Sequence, residues 1–351
     1  MISFNLKMNK SSNQRLLSIL IVSLIVFFSL ISPALIFSGN VPGTENISIC
    51  ISPGKCSILQ SDYTVSDSVD NGSGESVNDK TIEEIRELTT LGTHDLKEPI
   101  ALCADPRGFV FVSDGLTGMI FRYTLNGESI EFEHPSGASA LYPVDIACVG
   151  SYVYVLDYSS RKILRYDFRG AYLDLLVALE EIGYLSPVSI SIANDGRLIM
   201  TDTERHMVSL WSPLMDFQVE IGEFESGLMG LVEPVKAIDL SDGTVAVLDS
   251  GDRMIKFFSP SGAFEGSIPL GDRIGVVEPR YMCVDRYDNI FVADAEGKVL
   301  VVRPDGKLLN TIDSFNGKQL VPSAVACGWN NELFVTDMKS HSVLVYVITY
   351  R

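Results

Sequence analysis

The stretch "VAVLDSGDRMIKFFSPSG", Val245 to Gly262, carries the reading of the whole chain. An apolar run of strand character stops at Asp249. A short polar gap follows, then a second apolar run, then a Pro-Ser-Gly turn. An aspartate at a strand end can be a catalytic base, a metal ligand, or the tie that holds a turn. The rest of the sequence decides among these, because the pattern recurs.

Aligned on that aspartate, the other segments are "ALCADPRGFVFVSD" to Asp114, "DIACVGSYVYVLD" to Asp157 and "SISIANDGRLIMTD" to Asp202. Beyond Asp249 follow "YMCVDRYDNIFVAD" to Asp294 and "AVACGWNNELFVTD" to Asp337. A proline opens every unit: Pro99, Pro143, Pro187, Pro234, Pro279 and Pro322. A period near 45 residues, kept through six copies, outweighs any local propensity. Each unit divides into four short strands. Strand A follows the proline, and a turn such as "NDGR" or "SDGT" leads to strand B, which ends at the aspartate. Strand C follows, with a mostly aromatic position (Tyr123, Tyr166, Trp211, Phe258, Val302, Tyr346), and a turn such as "SPSG" or "RPDG" leads to strand D. Four-stranded units at this period predict an all-β, six-bladed β-propeller.

The sixth unit ends at Arg351 just after its strand C, so its fourth strand must come from elsewhere. "EEIRELTTLGTHDLKEP", from Glu83, resembles the segment "AFEGSIPLGDRIGVVEP" that carries strand D into the next proline. Residues 83–91 are therefore expected to supply the outer strand of the last blade and close the ring. A helix over Ile82–Leu88 is the competing reading.

The proline, the "V-x-D" at the end of strand B, the basic residue before strand C ("SSRKILRYD", "SGDRMIKFF", "AEGKVLVVR") and the glycine turns resemble NHL repeats over 81–351. The resemblance implies the propeller. It does not imply one function, because NHL proteins include amidating lyases, RNA-binding modules, bacterial sensor domains and interaction platforms.

Ahead of the repeats, Lys7, Lys10 and Arg15 precede Leu16–Phe37, 22 residues without a charge. Such a run is long enough to span a bilayer as a helix, and its basic flank orients the remainder outward. Residues 1–39 are read as an uncleaved N-terminal signal-anchor, with a cleaved signal at Ser32-Pro33-Ala34 as the alternative. Residues 40–80, rich in Ser, Asp, Gly and Asn, are read as a flexible extracytoplasmic linker. The linker holds the sequons at Asn46 and Asn71 and a candidate disulfide between Cys50 and Cys56. Cys103, Cys148, Cys283 and Cys327 lie in apolar runs and are read as small buried hydrophobes.

The net charge is −18; residues 1–39 carry +3 and 40–80 carry −4, leaving −17 on the repeats. A surface this acidic repels phosphate backbones, which excludes nucleic acid as the expected partner. A monomer is expected.

One aspartate per blade suits a structural need that recurs in every blade, so Asp114, Asp157, Asp202, Asp249, Asp294 and Asp337 are assigned to turns. Lys162, Arg205, Arg253, Lys298 and His341 are expected to face them. Period-2 alternation in strand A points Asp145, Ser189, Lys236 and Tyr281 at the central channel, with Arg280 nearby. A carboxylate, an ammonium and a phenol around one pore are a candidate site for a small polar ligand. The alternative is an Asp–Lys pair that satisfies itself. His94 and His134 are expected on the face opposite His206 and His341, so that no three-histidine zinc site assembles. No nucleophile motif or phosphate loop is present, and no cofactor is expected. The reading is a non-catalytic binding module for a protein or small polar ligand. The alternative is a divalent-metal-dependent hydrolase or lyase at the channel mouth using Asp145 and Lys236.

Overall fold

The computed structural model describes residues 80–137, 140–222 and 229–351. Six four-stranded antiparallel sheets are present, each with strand order A-B-C-D. Blade four shows the plan: Pro234–Asp239, Val245–Asp249, Met254–Phe258 and Phe264–Pro269. Strand B is buried along its whole length in every blade except at the first and third residues of Tyr152–Asp157. It lies in the middle of a sheet whose two faces meet neighbouring sheets. That is why it reads as a continuous apolar run rather than an alternation. The aromatic position of strand C packs between sheets: Tyr123, Tyr166, Phe258 and Tyr346 are buried. Trp211 is partly exposed, and its indole N–H donates to the buried Tyr184 and Ser209 hydroxyls.

The last blade is built from both ends of the repeat region. Ile82–Leu91 pairs antiparallel with Ser342–Tyr350, in a register that sets Ile85 opposite Ile348 and Leu91 opposite Val343. Outside this pairing the exposed side of strand C would be an open edge. Two bulges, between Ile82 and Glu84 and between Glu87 and Thr89, let the long outer strand follow the twist of the sheet. The helix alternative loses because a strand here satisfies two rows of backbone groups at once, its own and those of residues 342–350.

A second recurrent feature is a bulge just inside the proline of every strand A, between Pro99 and Ala101, Pro143 and Asp145, Pro187 and Ser189, Pro234 and Lys236, Pro279 and Tyr281, and Pro322 and Ala324. The proline lacks an N–H, so the ladder is interrupted there in any case.

The apolar run Leu16–Phe37, the sequons and Cys50 and Cys56 lie outside the described residues. Among the described residues no helix is long and apolar enough to cross a membrane.

Closure by the outer strand has a measurable consequence. Leu91 is buried and Leu88 is exposed on the same strand. Leu91→Ala should cost about 2–5 kcal/mol in denaturant unfolding, whereas Leu88→Ala should stay within about 0.5 kcal/mol of the parent.

Candidate functional site

The aspartate ending each strand B is buried, and in five of the six blades its carboxylate collects backbone donors from two loops. Asp114 accepts the amides of Lys97 and Glu98 at 2.6 and 2.8 Å, and that of Thr117 at 2.9 Å. Asp202 and Asp294 do the same with Leu185 and Ser186, and with Val277 and Glu278, plus one B–C turn amide each. Asp157 and Asp337 take one amide from each loop. Each carboxylate therefore ties its B–C turn to the connection arriving from the previous blade. For Asp114, burial raises the carboxyl's pKa, but the three amides outweigh it and hold the group below its ordinary 3.8.

Asp249 departs from this pattern. It accepts the Val232 and Glu233 amides at 2.9 and 2.8 Å, but its third donor is the buried ammonium of Lys256, at 2.8 Å. Lys256 also donates to Asp252 at 2.6 Å and to the Gly230 carbonyl at 2.6 Å. At the same place in strand C the other blades hold Phe121, Leu164, Ser209, Leu300 and Leu344. A lysine breaking a column of mostly apolar residues was the available signal for this buried cluster.

The basic residues expected to face the aspartates mostly do other things. Lys298 reaches Asp294 only at 3.8 Å and bonds the Gly275 carbonyl. Arg205 donates to the Gly183 carbonyl. Arg253 and His341 occupy left-handed backbone at φ 53° and 51°, so the turn sets their direction.

At the channel, three predicted residues meet. Lys236 Nζ donates to Asp145 Oδ2 at 2.6 Å, to the Tyr281 hydroxyl at 2.8 Å and to the Ile190 carbonyl at 2.8 Å. Asp145 also accepts from the Tyr281 hydroxyl at 2.6 Å and from the amides of Ile146 and Ile190, both at 2.8 Å. An ammonium has three donors and a carboxylate about four acceptor positions. All of them are filled, by groups from blades two, three, four and five. Burial, followed by the Asp145 charge, pushes the Tyr281 hydroxyl well above its usual range, so it stays a donor. The cluster joins four blades across the channel.

Ser189 lies on the intervening blade outside this network. Its buried hydroxyl and that of its ladder partner Thr201 have no hydrogen-bond partner. Arg280 is exposed and pairs with Glu278.

The mouth of the channel is lined by residues that alternation did not point to. The bulge turns the residue after each proline toward the axis: Ile100, Val144, Val188, Val235, Arg280 and Ser323 ring a cavity of about 350 Å3. Tyr281 forms part of its floor, and Glu233, Ser250 and Glu278 complete the lining. No local sequence signal marks these positions, because the bulge breaks the period from which they would be read.

The histidines differ from expectation in placement. Strands B and D both run toward the proline face, so the B–C turns and the connections between blades share it, and all four histidines lie there. His206 Nδ1 approaches the Val232 carbonyl at 2.7 Å, across those two loop types. Even so, among the described residues no three His, Cys, Asp or Glu side chains converge as a metal-holding group. The four strand-A cysteines are partly exposed rather than buried. Burial raises the Cys103 and Cys327 thiols well above their ordinary value, with contributions from hydrogen bonds to Cys148 and Cys283 respectively.

No family model matches the chain, and no curated protein matches it. Solved structures do. A gluconolactonase from Xanthomonas campestris is similar at 17% identity and TM-score 0.58, over 77% of this chain and 97% of that one. A catalytically inactive virginiamycin B lyase from Staphylococcus aureus, solved with quinupristin, is similar at 14% and 0.53, over 76% and 87%. The WD40 propeller domain of Doa1 is similar at 10% and 0.52, over 76% and 96%. Likeness at these identities establishes the propeller fold and nothing finer.

Two outcomes test the electrostatics. Asp145→Ala leaves a buried unpaired ammonium and should cost about 3–5 kcal/mol in urea unfolding, while Asp145→Ala with Lys236→Met should recover most of that loss. Because the folded Asp114 carboxyl titrates below its unfolded value, its contribution is present above pH 3.8 and is lost as pH falls further. Thermal unfolding followed down the acid range should fall less steeply for Asp114→Asn than for the parent.

Proposed function

We propose that this chain is an NHL-like propeller acting as a non-catalytic binding module, with its site at the channel mouth. The observation that carries the reading is the bulge in every strand A, which turns one residue per blade onto a single cavity. Four of the six are aliphatic, and carboxylates stand at the edge. A cavity of this make-up suits an apolar group with a cationic or hydrogen-bond-donating end near Glu233, whether that group belongs to a small molecule or to a protein loop. The Asp145–Lys236–Tyr281 cluster supports the site from below. Its donors and acceptors are spent, so its contribution to a ligand is the Tyr281 surface that lines the cavity.

In this reading the propeller works outside the cytoplasm, tethered through the apolar segment Leu16–Phe37. Support for that comes from the length of the segment and its basic flank. A divalent-metal hydrolase or lyase using Asp145 is the competing reading. It needs an acceptor position on Asp145 that the two amides, the ammonium and the phenol already occupy.

Thermal-shift screening of the purified protein against small-molecule and peptide libraries tests the site. Hits should weaken about tenfold or more in Val188→Glu, weaken at low salt in Glu233→Gln, and persist in Trp329→Glu on the opposite face. Hits indifferent to both mouth variants would move the site elsewhere. Stoichiometric metal in the purified protein, with a turnover lost in Asp145→Asn, would replace the module with an enzyme.

A further inference from the structure

The four strand-A cysteines do not scatter around the channel; they pair across neighbouring blades by one rule. Cys103 is the fifth residue of strand A in blade one, and Cys148 is the sixth in blade two. Cys283 is the fifth in blade five, and Cys327 is the sixth in blade six. Cys283 Sγ lies 3.3 Å from Cys327 Sγ. Cys103 and Cys148 hold the corresponding positions in blades one and two. Successive blades are related by nearly the same rotation, so the geometry that joins Cys283 to Cys327 brings Cys103 toward Cys148. The remaining fifth and sixth positions in those four blades, Ala147, Ala326, Ala104 and Val284, carry no sulfur.

We propose that Cys103–Cys148 and Cys283–Cys327 are two inter-blade disulfide sites, closed when the chain meets a small-molecule or protein disulfide as oxidant. A disulfide bond measures about 2.05 Å, so closing the Cys283–Cys327 contact brings the sulfurs together by roughly 1.2 Å, within reach of side-chain rotation. All four cysteine residues keep partial exposure, so the path an oxidant takes to them is short. One cysteine, as its thiolate, attacks a sulfur of the oxidant and expels one thiolate, leaving a mixed disulfide. The partner cysteine, also deprotonated, attacks the protein sulfur of that mixed disulfide and expels the second thiolate. The two protons lost by the cysteines go to the two leaving groups. Two protein thiols are oxidised and one disulfide is reduced to two thiols.

The consequence is mechanical. Blade six is assembled from strands at opposite ends of the repeat region, and no covalent link holds its outer strand. One bridge ties this blade to blade five, and the other ties blade one to blade two. Both close long loops, which restricts the unfolded chain most. The inference is independent of the ligand site, since it concerns strand A beyond the bulge and its test needs no ligand.

Full-length protein purified in reductant and then exposed to glutathione disulfide at mildly alkaline pH provides the test. Mass spectrometry of an unreduced digest should recover peptides joined Cys103 to Cys148 and Cys283 to Cys327, distinct from any Cys50–Cys56 link. The oxidised parent should melt about 5 °C or more above the reduced parent. Cys283→Ser should lose part of that gain and keep the Cys103–Cys148 link. Four alkylatable strand-A thiols after oxidation, other pairings among them, or an oxidised form that melts no higher than the reduced one would overturn the proposal.

Discussion

This fold depends on a strand from the start of the repeat region completing a sheet at its end. Residues 82–91 and 342–350 share one ladder, so no blade has local sequence alone as the source of its closure. Within blades one to five the chain needs only hairpins, which form from neighbouring residues. The sixth requires a contact spanning more than 250 residues, and the entropy of that long closure is offset by the pairing of a ten-residue strand and the burial of Leu91. Once the ring is shut, every strand B is buried between two sheets. Every strand A is then presented to a common axis.

Two polar devices hold the geometry that closure creates. Five of the strand-end aspartates fasten their B–C turn to the connection from the preceding blade, using amides that the sheets leave unpaired, and Asp249 replaces the turn amide with the Lys256 ammonium. They are short-range ties and recur because the need recurs. The Asp145–Lys236–Tyr281 cluster occurs once and acts across the channel, joining side chains from three blades and backbone from a fourth. Burying such charges is unfavourable unless each donor and acceptor is matched, and here the matching is complete. This favours one arrangement of the inner strands over near alternatives. The cluster also lies beneath the mouth, where the aliphatic ring stands.

Much of this was legible in the residues. Six prolines at a steady interval and six strand-end aspartates specified the number of blades and the strands within them, because a repeated unit states its period many times over. Alternation in strand A was enough to bring Asp145, Lys236 and Tyr281 to the axis. The alternate positions Leu102, Ile146, Ile190, Ala237, Met282 and Val325 are buried. What the tertiary structure alone decided begins where the period breaks or where blades meet. The bulge after each proline re-aims Ile100, Val144, Val188 and Val235 toward the mouth, and nothing local encodes that turn. Lys256 finds Asp249, Asp252 and the Gly230 carbonyl only in the folded chain. The sulfur contact between Cys283 and Cys327 exists only because two sheets stand side by side. A sequence states which face of a strand each side chain takes; the distance between side chains on different strands is a property of the closed ring.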